Sequence, residues 1–270
     1  MPELPEVETT RRGIKPHLVG KTIQQVTVHN PNLRWPVPTT IKALQGAIVA
    51  SVTRRGKYLL VDVPAGTAIV HLGMSGSLRI SPADEPRRKH DHIELLLESG
   101  DILRFHDPRR FGCFLWAAAG EPPHKLLASL GPEPLANEFN AEYLFQASRK
   151  RQVPIKNFIM NSQIVVGVGN IYASESLFMA GIRPARAAKT LTRKQAEALV
   201  EAIKLVLQRS ITQGGTTLRD FTNSDGNPGY FAQSLQVYGR TDEPCRKCRK
   251  PIKQSVIGQR STFYCSHCQK

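Results

Sequence analysis

Val166-Gly167-Val168-Gly169-Asn170-Ile171-Tyr172 is the stretch on which the fold turns. Two glycines one residue apart, after an apolar run, look like the phosphate-binding turn of a doubly wound α/β domain. That turn needs a third glycine for close helix–strand packing, and Tyr172 stands in its place. No alternation of strands and helices surrounds it either. The stretch reads instead as a glycine turn that delivers Asn170 as the N-cap of a helix. Ile171, Leu177 and Phe178 are that helix's apolar face and Gly181 its stop, and the free backbone amides at its start can hold a phosphate. Most N-caps are merely structural, so the turn alone assigns no function.

Outward from this turn the period is helical. Asn140 can cap a helix through Phe145, and Thr192-Arg193-Lys194-Gln195 forms a capping box ahead of Leu199, Val200, Ile203, Val206 and Leu207, with Gly214 as the stop. Upstream, Gly131-Pro132-Glu133-Pro134 breaks the pattern. Before it, from Lys21 to Trp116, apolar residues alternate in short runs (Ile23 to Val28, Tyr58 to Val63, Ala68 to Leu72, Ile93 to Leu97, Ile102 to Phe105), as in an antiparallel β-sandwich or barrel. Pro5, Glu6 and Glu8 followed by Arg11 and Arg12 give the charge order of a helix starting almost at the amino terminus. The expected domains are residues 1–133, 134–235 and 236–270.

The last of these carries Cys245-x2-Cys248-x16-Cys265-x2-Cys268, the spacing of a four-thiolate site for one structural Zn2+. His267 is then a bystander, and Cys113, alone among apolar residues, reads as a buried small hydrophobe. Between Arg240 and Lys270 eight basic residues face two acids. The whole chain holds 37 Lys and Arg against 22 Asp and Glu, a net charge of +15 that points to a polyanionic partner. With 40% apolar and 22% charged residues, the 270-residue chain is neither disordered nor fibrous. No apolar run approaches the roughly 18 residues of a membrane span, and Met1-Pro2-Glu3-Leu4-Pro5-Glu6 lacks the order of a signal peptide, so a cytoplasmic location is expected.

Met1 precedes the small Pro2 and is expected to be trimmed. The secondary amine left behind has a reference pKa of about 7.7–8.0, so roughly a tenth of it is neutral and nucleophilic at pH 7. Attack on a sugar aldehyde carbon gives an iminium, an electron sink for elimination, with Glu3 beside it to move a proton.

Together these residues resemble the formamidopyrimidine-DNA glycosylase family, over essentially the whole chain. The resemblance rests on Pro2-Glu3-Leu4-Pro5-Glu6-Val7-Glu8-Thr9, Arg55-Gly56-Lys57-Tyr58-Leu59-Leu60, His71-Leu72-Gly73-Met74-Ser75-Gly76, Asp107-Pro108-Arg109-Arg110-Phe111-Gly112, Gly167 to Glu175, and Gly258-Gln259-Arg260-Ser261-Thr262-Phe263-Tyr264-Cys265. It implies an α+β multidomain fold: a β-sandwich with a terminal helix, an all-α helix-two-turn-helix domain and a zinc-binding β-hairpin. It implies a monomer that extrudes oxidised purines, 8-oxoguanine or formamidopyrimidines, from double-stranded DNA and then cuts the strand by β,δ-elimination, associated with the nucleoid during repair.

By the same resemblance Pro2 forms the Schiff base and Glu3 transfers protons. Lys57 acts in β-elimination and Arg260 in δ-elimination. Met74, Arg109 and Phe111 fill the void left by the base, while His90, Arg151, Lys156 and Asn170 contact DNA. A mobile loop within Thr216 to Tyr230 would read the damaged base. The chain departs from familiar members around Ala117 to Lys125, and in having Arg149 and Arg151 in its basic cluster.

Overall fold

A computed structural model describes residues 2–216 and 231–270. Met1, and all but Thr216 of the segment read above as a mobile loop, lie outside the described residues. The chain forms two compact units, Met1–Ala128 with Gln213–Ala232, and Ser129–Thr212 with Gln233–Lys270.

In the first unit helix α1 (Leu4–Leu18) has Pro5 in its first turn and Lys15 and His17 in its last. It presents Leu4, Val7, Ile14 and Leu18, all at most 1% exposed, on one face. Of the eight strands β1 (Ile23–Val28), β2 (Ser51–Arg55), β3 (Tyr58–Val63), β4 (Gly66–His71), β5 (Ser77–Pro82), β6 (Asp91–Leu97), β7 (Asp101–His106) and β8 (Cys113–Ala118), that face packs chiefly on β2, β3 and β5. These eight form two four-stranded antiparallel sheets, ordered β1-β6-β7-β5 and β2-β3-β4-β8. Alternate residues such as Val26, Leu59, Val61, Leu95 and Phe105 fill a single core between them, so the fold is a sandwich. A 3-10 turn (Thr39–Leu44) adds Ile41 and Leu44 to that core, and a short helix α2 (Lys125–Ala128) ends the unit. Cys113 is buried as expected, and burial pushes its thiol up to about 12, which leaves it protonated and unreactive.

Glu8 ties α1 to the sandwich edge. Its carboxylate accepts from Arg11 Nη2 and Arg12 Nε at 2.8 Å and from Arg54 Nε at 3.2 Å. Burial pushes its pKa up, but the bonds from Arg11 and Arg12 and the charge of Arg54 outweigh this and hold it at about 2. A carboxylate whose pKa is depressed on folding adds stability above its ordinary pKa near 4.5 and loses it as pH falls towards 2. The melting temperature is therefore expected to drop between those two values, and the Glu8→Gln variant to show a flatter acid limb; an acid limb identical to the parent's removes Glu8 as a cause.

The second unit is built from α3 (Ala141–Ser148), α4 (Ile155–Met160), α5 (Asn170–Met179), α6 (Arg193–Thr212) and the hairpin β9 (Lys253–Ile257) with β10 (Arg260–Tyr264). Asn140 caps α3 by accepting from Tyr143 N–H at 2.9 Å. Thr192 and Gln195 exchange the two bonds of the capping box, each 3.2 Å. Helix α6 buries Leu199, Ile203 and Leu207 completely, against α3 and α5. Tyr172 is wholly buried, with its hydroxyl 2.6 Å from Ser210 Oγ of α6. The residue that spoils the dinucleotide turn is thus a helix-packing residue. One expectation is corrected here: the N-cap of α5 is Gly169, and Asn170 is the first helical residue, because its side chain is engaged elsewhere.

Candidate active site and nucleic-acid interface

In the first unit the start of α1 is held from both sides. Pro2 is buried and Glu3 is 2% exposed. Glu3 N–H donates to Glu6 Oε2 at 2.8 Å, and the other oxygen of Glu6 accepts from Thr216 N–H at 2.7 Å. Any side chain at position 215 would crowd this carboxylate: a Cβ on Gly215, itself at φ 86°, would lie 3.1 Å from Glu6 Oε1.

Lys57 sits on the two-residue turn between β2 and β3, where Gly56 at φ 57° supplies the left-handed residue such a turn needs. Tyr58 pairs in register with His71, and the two rings lie 5.0 Å apart. His71 Nδ1 accepts from Gly73 N–H at 2.9 Å, which places its proton on Nε2. Burial, then the charges of Lys57 and Arg34, lower its pKa to about 4, so the ring is neutral. The charges of Lys57 and Arg34 thus both bear on the His71 ring.

Two turns beside His71 expose large apolar side chains. Met74 is 39% and Phe111 43% exposed, among few such residues described. The turns touch through backbone: a Cβ on Gly73, at φ 66°, would lie 2.4 Å from Gly112 N and 2.5 Å from Phe111 C. Arg109 stacks its guanidinium 4.9 Å above the Phe111 ring. Asp107, fully buried, shapes the second turn by accepting Gly112 N–H at 2.7 Å with its carboxylate and Arg110 N–H at 3.2 Å with its carbonyl. Burial raises its pKa, against the bond from Gly112. Arg34 N–H donates to Gly112 O at 3.2 Å. His90 lies at the base of this turn, its carbonyl accepting Asp107 N–H at 3.0 Å.

In the second unit Lys156 is fully buried, and its ammonium donates to Asn170 Oδ1 at 2.5 Å, Thr262 Oγ1 at 2.7 Å and Ser261 O at 3.1 Å. Three donors meet three acceptors, so the lysine ties α4, α5 and β10 together. Asn170 completes the knot by donating to Ser261 O at 3.0 Å and Tyr238 Oη at 3.4 Å. Arg260, adjacent to Ser261, is exposed at the start of β10 and opposite Ile257. The turn before it holds Gly258 at φ 57° and Gln259 at φ 60°, and a Cβ on Gly258 would lie 2.4 Å from the Asn157 amide. Arg151 is exposed. Arg149 is spent within the protein, stacked 3.8 Å over Phe145 and bonded to the carbonyl of Leu191.

The four thiolates converge as well. Cys245, Cys248, Cys265 and Cys268 sulfurs all lie within 4.8 Å of one another, with Cys245–Cys268 at 3.9 Å and Cys248–Cys265 at 3.5 Å. A tetrahedron with Zn–S bonds of about 2.3 Å has edges of about 3.8 Å, so the donor set fits zinc.

Three residues escaped the sequence reading. His71 and Arg34 stand beside Lys57, and Glu175, 3% exposed, accepts the N–H groups of Gln236, Val237 and Tyr238 at 2.8 to 2.9 Å. Only Glu175 carried a signal, as an acid between Ser174 and Ser176 in an otherwise apolar helix.

Family models match three stretches: the formamidopyrimidine-DNA glycosylase N-terminal domain over residues 1–114, the formamidopyrimidine-DNA glycosylase H2TH domain over 130–222, and a zinc finger found in FPG and IleRS over 242–270. The chain is 56% identical to the formamidopyrimidine-DNA glycosylase of Photobacterium profundum, covering 100% of both. It is similar to the crystal structure of the MutM (Fpg) protein from Thermus thermophilus, with TM-score 0.89, 38% identity, and coverage of 99% of this chain and 98% of that one. The complex between wild-type Lactococcus lactis Fpg (MutM) and an N7-benzyl-Fapy-dG containing DNA gives TM-score 0.91, with 33% identity and 100% coverage of both chains.

Proposed function

The chain belongs to the formamidopyrimidine-DNA glycosylase family, and on that premise we propose how its own residues remove an oxidised purine from duplex DNA and cut the strand. The observation that carries the reading is the pair of abutting turns that expose Met74 and Phe111, with Arg109 stacked on the latter. Exposed apolar side chains on fixed turns cost hydration and suit wedges that enter a base stack, while a guanidinium can address the orphaned base. Unstacking costs a few kcal/mol, which these contacts offset.

With the damaged nucleotide extruded, the Pro2 nitrogen attacks C1′ and the bond from C1′ to the base breaks, the base leaving with a proton. Glu3 moves protons as the sugar ring opens to the iminium, which draws electrons from C2′ once its proton is removed. The C3′–O bond breaks first, with Lys57 as proton donor, and then the C5′–O bond, with Arg260 holding phosphate oxygens on its planar fork. His90 and Arg151 grip the backbone. Asn170 contacts the DNA backbone near the lesion, and Lys156, expected beside it, is fully buried and instead orders the hairpin that carries Arg260. One structural zinc holds the hairpin's four thiolates. The protein acts as a monomer on double-stranded DNA. Among the described residues no helix is long and apolar enough to cross a membrane. We place its action in the bacterial cytoplasm, at the nucleoid during repair.

Borohydride trapping on a duplex with one 8-oxoguanine opposite cytosine, in competition with a 5-hydroxyuracil duplex, tests this reading. The expected result is a covalent adduct formed with the purine lesion in preference. Preference for 5-hydroxyuracil would move the chain to the pyrimidine-specific class, and binding without any adduct would make it a damage-binding module.

A further inference from the structure

Beside the wedge turns lies a second feature of the first unit, of which only His90 enters the reading above. The connection between β5 and β6, residues 83–90, ends in four consecutive cationic or titratable residues, Arg87-Arg88-Lys89-His90, and the first three are exposed. Its conformation is fixed from beneath. Arg104, 2% exposed, reaches up from β7 to donate to Glu85 O at 2.6 Å and Pro86 O at 3.3 Å, and pairs with Glu94 at 2.9 Å. Asp91, wholly buried, is gripped by both terminal nitrogens of Arg79 at 2.8 Å, by His106 Nδ1 at 2.8 Å and by Arg88 N–H at 2.9 Å. Arg87 donates to Asp91 O at 3.2 Å.

This platform does two things. Burying an arginine and an aspartate is expensive unless each is paired and bonded, and here the pairing is spent on holding backbone carbonyls and an amide of the loop. It also pairs the inner acids. Asp91 and Glu94 are met inside by Arg79 and Arg104, whereas Glu85, one-third exposed, has its shortest contact, 3.1 Å, with Arg88 of the loop itself and lies 3.6 and 3.9 Å from Arg79 and Arg104. Asp84 is the remaining exposed acid of the loop. What reaches solvent is a fixed ridge of three cations, Arg87, Arg88 and Lys89, against Asp84 and the partly exposed Glu85. It is continuous with the wedge turn, since His90 O accepts Asp107 N–H and His92 Nε2 lies 2.9 Å from Asp107 O.

We propose that this ridge is a further phosphate-binding site, in which Arg88 and Lys89 hold duplex backbone lying beyond the nucleotides flanking the lesion. The proposal rests on the DNA-repair reading above and extends its footprint. Arg88 and Lys89 stand at a turn closed by Asp91 N–H on Arg88 O at 3.0 Å, and duplex DNA carries a negative charge about every 1.7 Å of axis, so each of these two cations can meet a phosphate. Because the platform fixes the loop before DNA arrives, little ordering entropy is lost on contact.

The test measures binding of the zinc-loaded parent and of R88Q/K89Q to duplexes carrying a tetrahydrofuran abasic analogue opposite cytosine, one long and one trimmed to a few base pairs on either side. On the long duplex the variant is expected to lose about two units of the log–log salt slope and roughly 10- to 100-fold in affinity near 0.1 M salt. On the trimmed duplex parent and variant are expected to coincide, and K89Q alone to take about half of the slope change. An unchanged slope on the long duplex overturns the proposal, as does an equal loss on both lengths. An equal loss in K125Q/K194Q, which removes two lysines elsewhere, also overturns it, since net charge alone then explains the effect. If the parent neither discriminates the lesion nor traps on it, yet R88Q/K89Q loses slope on long duplex only, the ridge stands and the repair reading falls.

Discussion

Protein in which an extra residue remains ahead of Pro2 is expected to give no borohydride-trapped adduct and to cleave a lesion-bearing strand about a thousandfold more slowly, or worse. An acylated nitrogen shares its lone pair with the carbonyl and is no longer a nucleophile. Nothing else about the site need change: Glu6 still receives Glu3 N–H, and the wedge turns are untouched. Pro2→Gly is the complementary variant. It keeps a terminal amine but loses the secondary nitrogen and the ring that fills a buried position, so most of the adduct is expected to disappear. Mass spectrometry of tryptic peptides locates whatever adduct forms. Parental trapping by either protein, or an adduct on an internal lysine, removes Pro2 from the mechanism.

Stripping zinc is expected to have the second large effect. Binding free energies of structural zinc are on the order of 10–16 kcal/mol, and a two-stranded hairpin is at best marginal without help, so β9 and β10 should unfold when the metal leaves. The loss spreads through Lys156. Two of its three acceptors, Ser261 O and Thr262 Oγ1, belong to β10, and a buried ammonium deprived of them costs several kcal/mol. We expect the metal-free protein, and Cys248→Ser, to bind lesion duplex at least a hundredfold more weakly and to lose the δ-elimination product first. Metal analysis, filter binding and product gels on the same sample check this. Zinc-free protein with parental affinity and products would refute the role given to the hairpin.

The parts of the fold that were legible share a physical reason, and so do those that were not. β1 and β3 have the bounds their alternation predicts, Ile23–Val28 and Tyr58–Val63. Strands Ser51–Arg55, Ser77–Pro82 and Cys113–Ala118 went unread, and all three are edge strands. β1 is an edge strand too and keeps its alternation; in the first two of these Arg54 and Arg55, or Arg79 and Pro82, interrupt the period, and the third, Cys113–Ala118, is apolar throughout and has none. The α6 capping box was legible because its two bonds are local. The roles of Lys156 and Glu175 were not, because their partners lie 105 and 61 to 63 residues away in sequence. Met74 and Phe111 look like core residues by pattern alone; the resemblance singled them out, and the fold leaves both exposed. The four cysteines needed no structure, since tetrahedral thiolate spacing is written along the chain.

The carboxylate of Glu6 joins the amide of Glu3 to that of Thr216, 210 residues downstream. During synthesis the amino terminus emerges first, but its latch is not made until about four-fifths of the chain has left the ribosome. For that interval the amino terminus lacks this bond, and in the folded protein Pro2 is buried. On the reading proposed above, the order of translation then gives a window before folding in which the methionine ahead of Pro2 has to be removed.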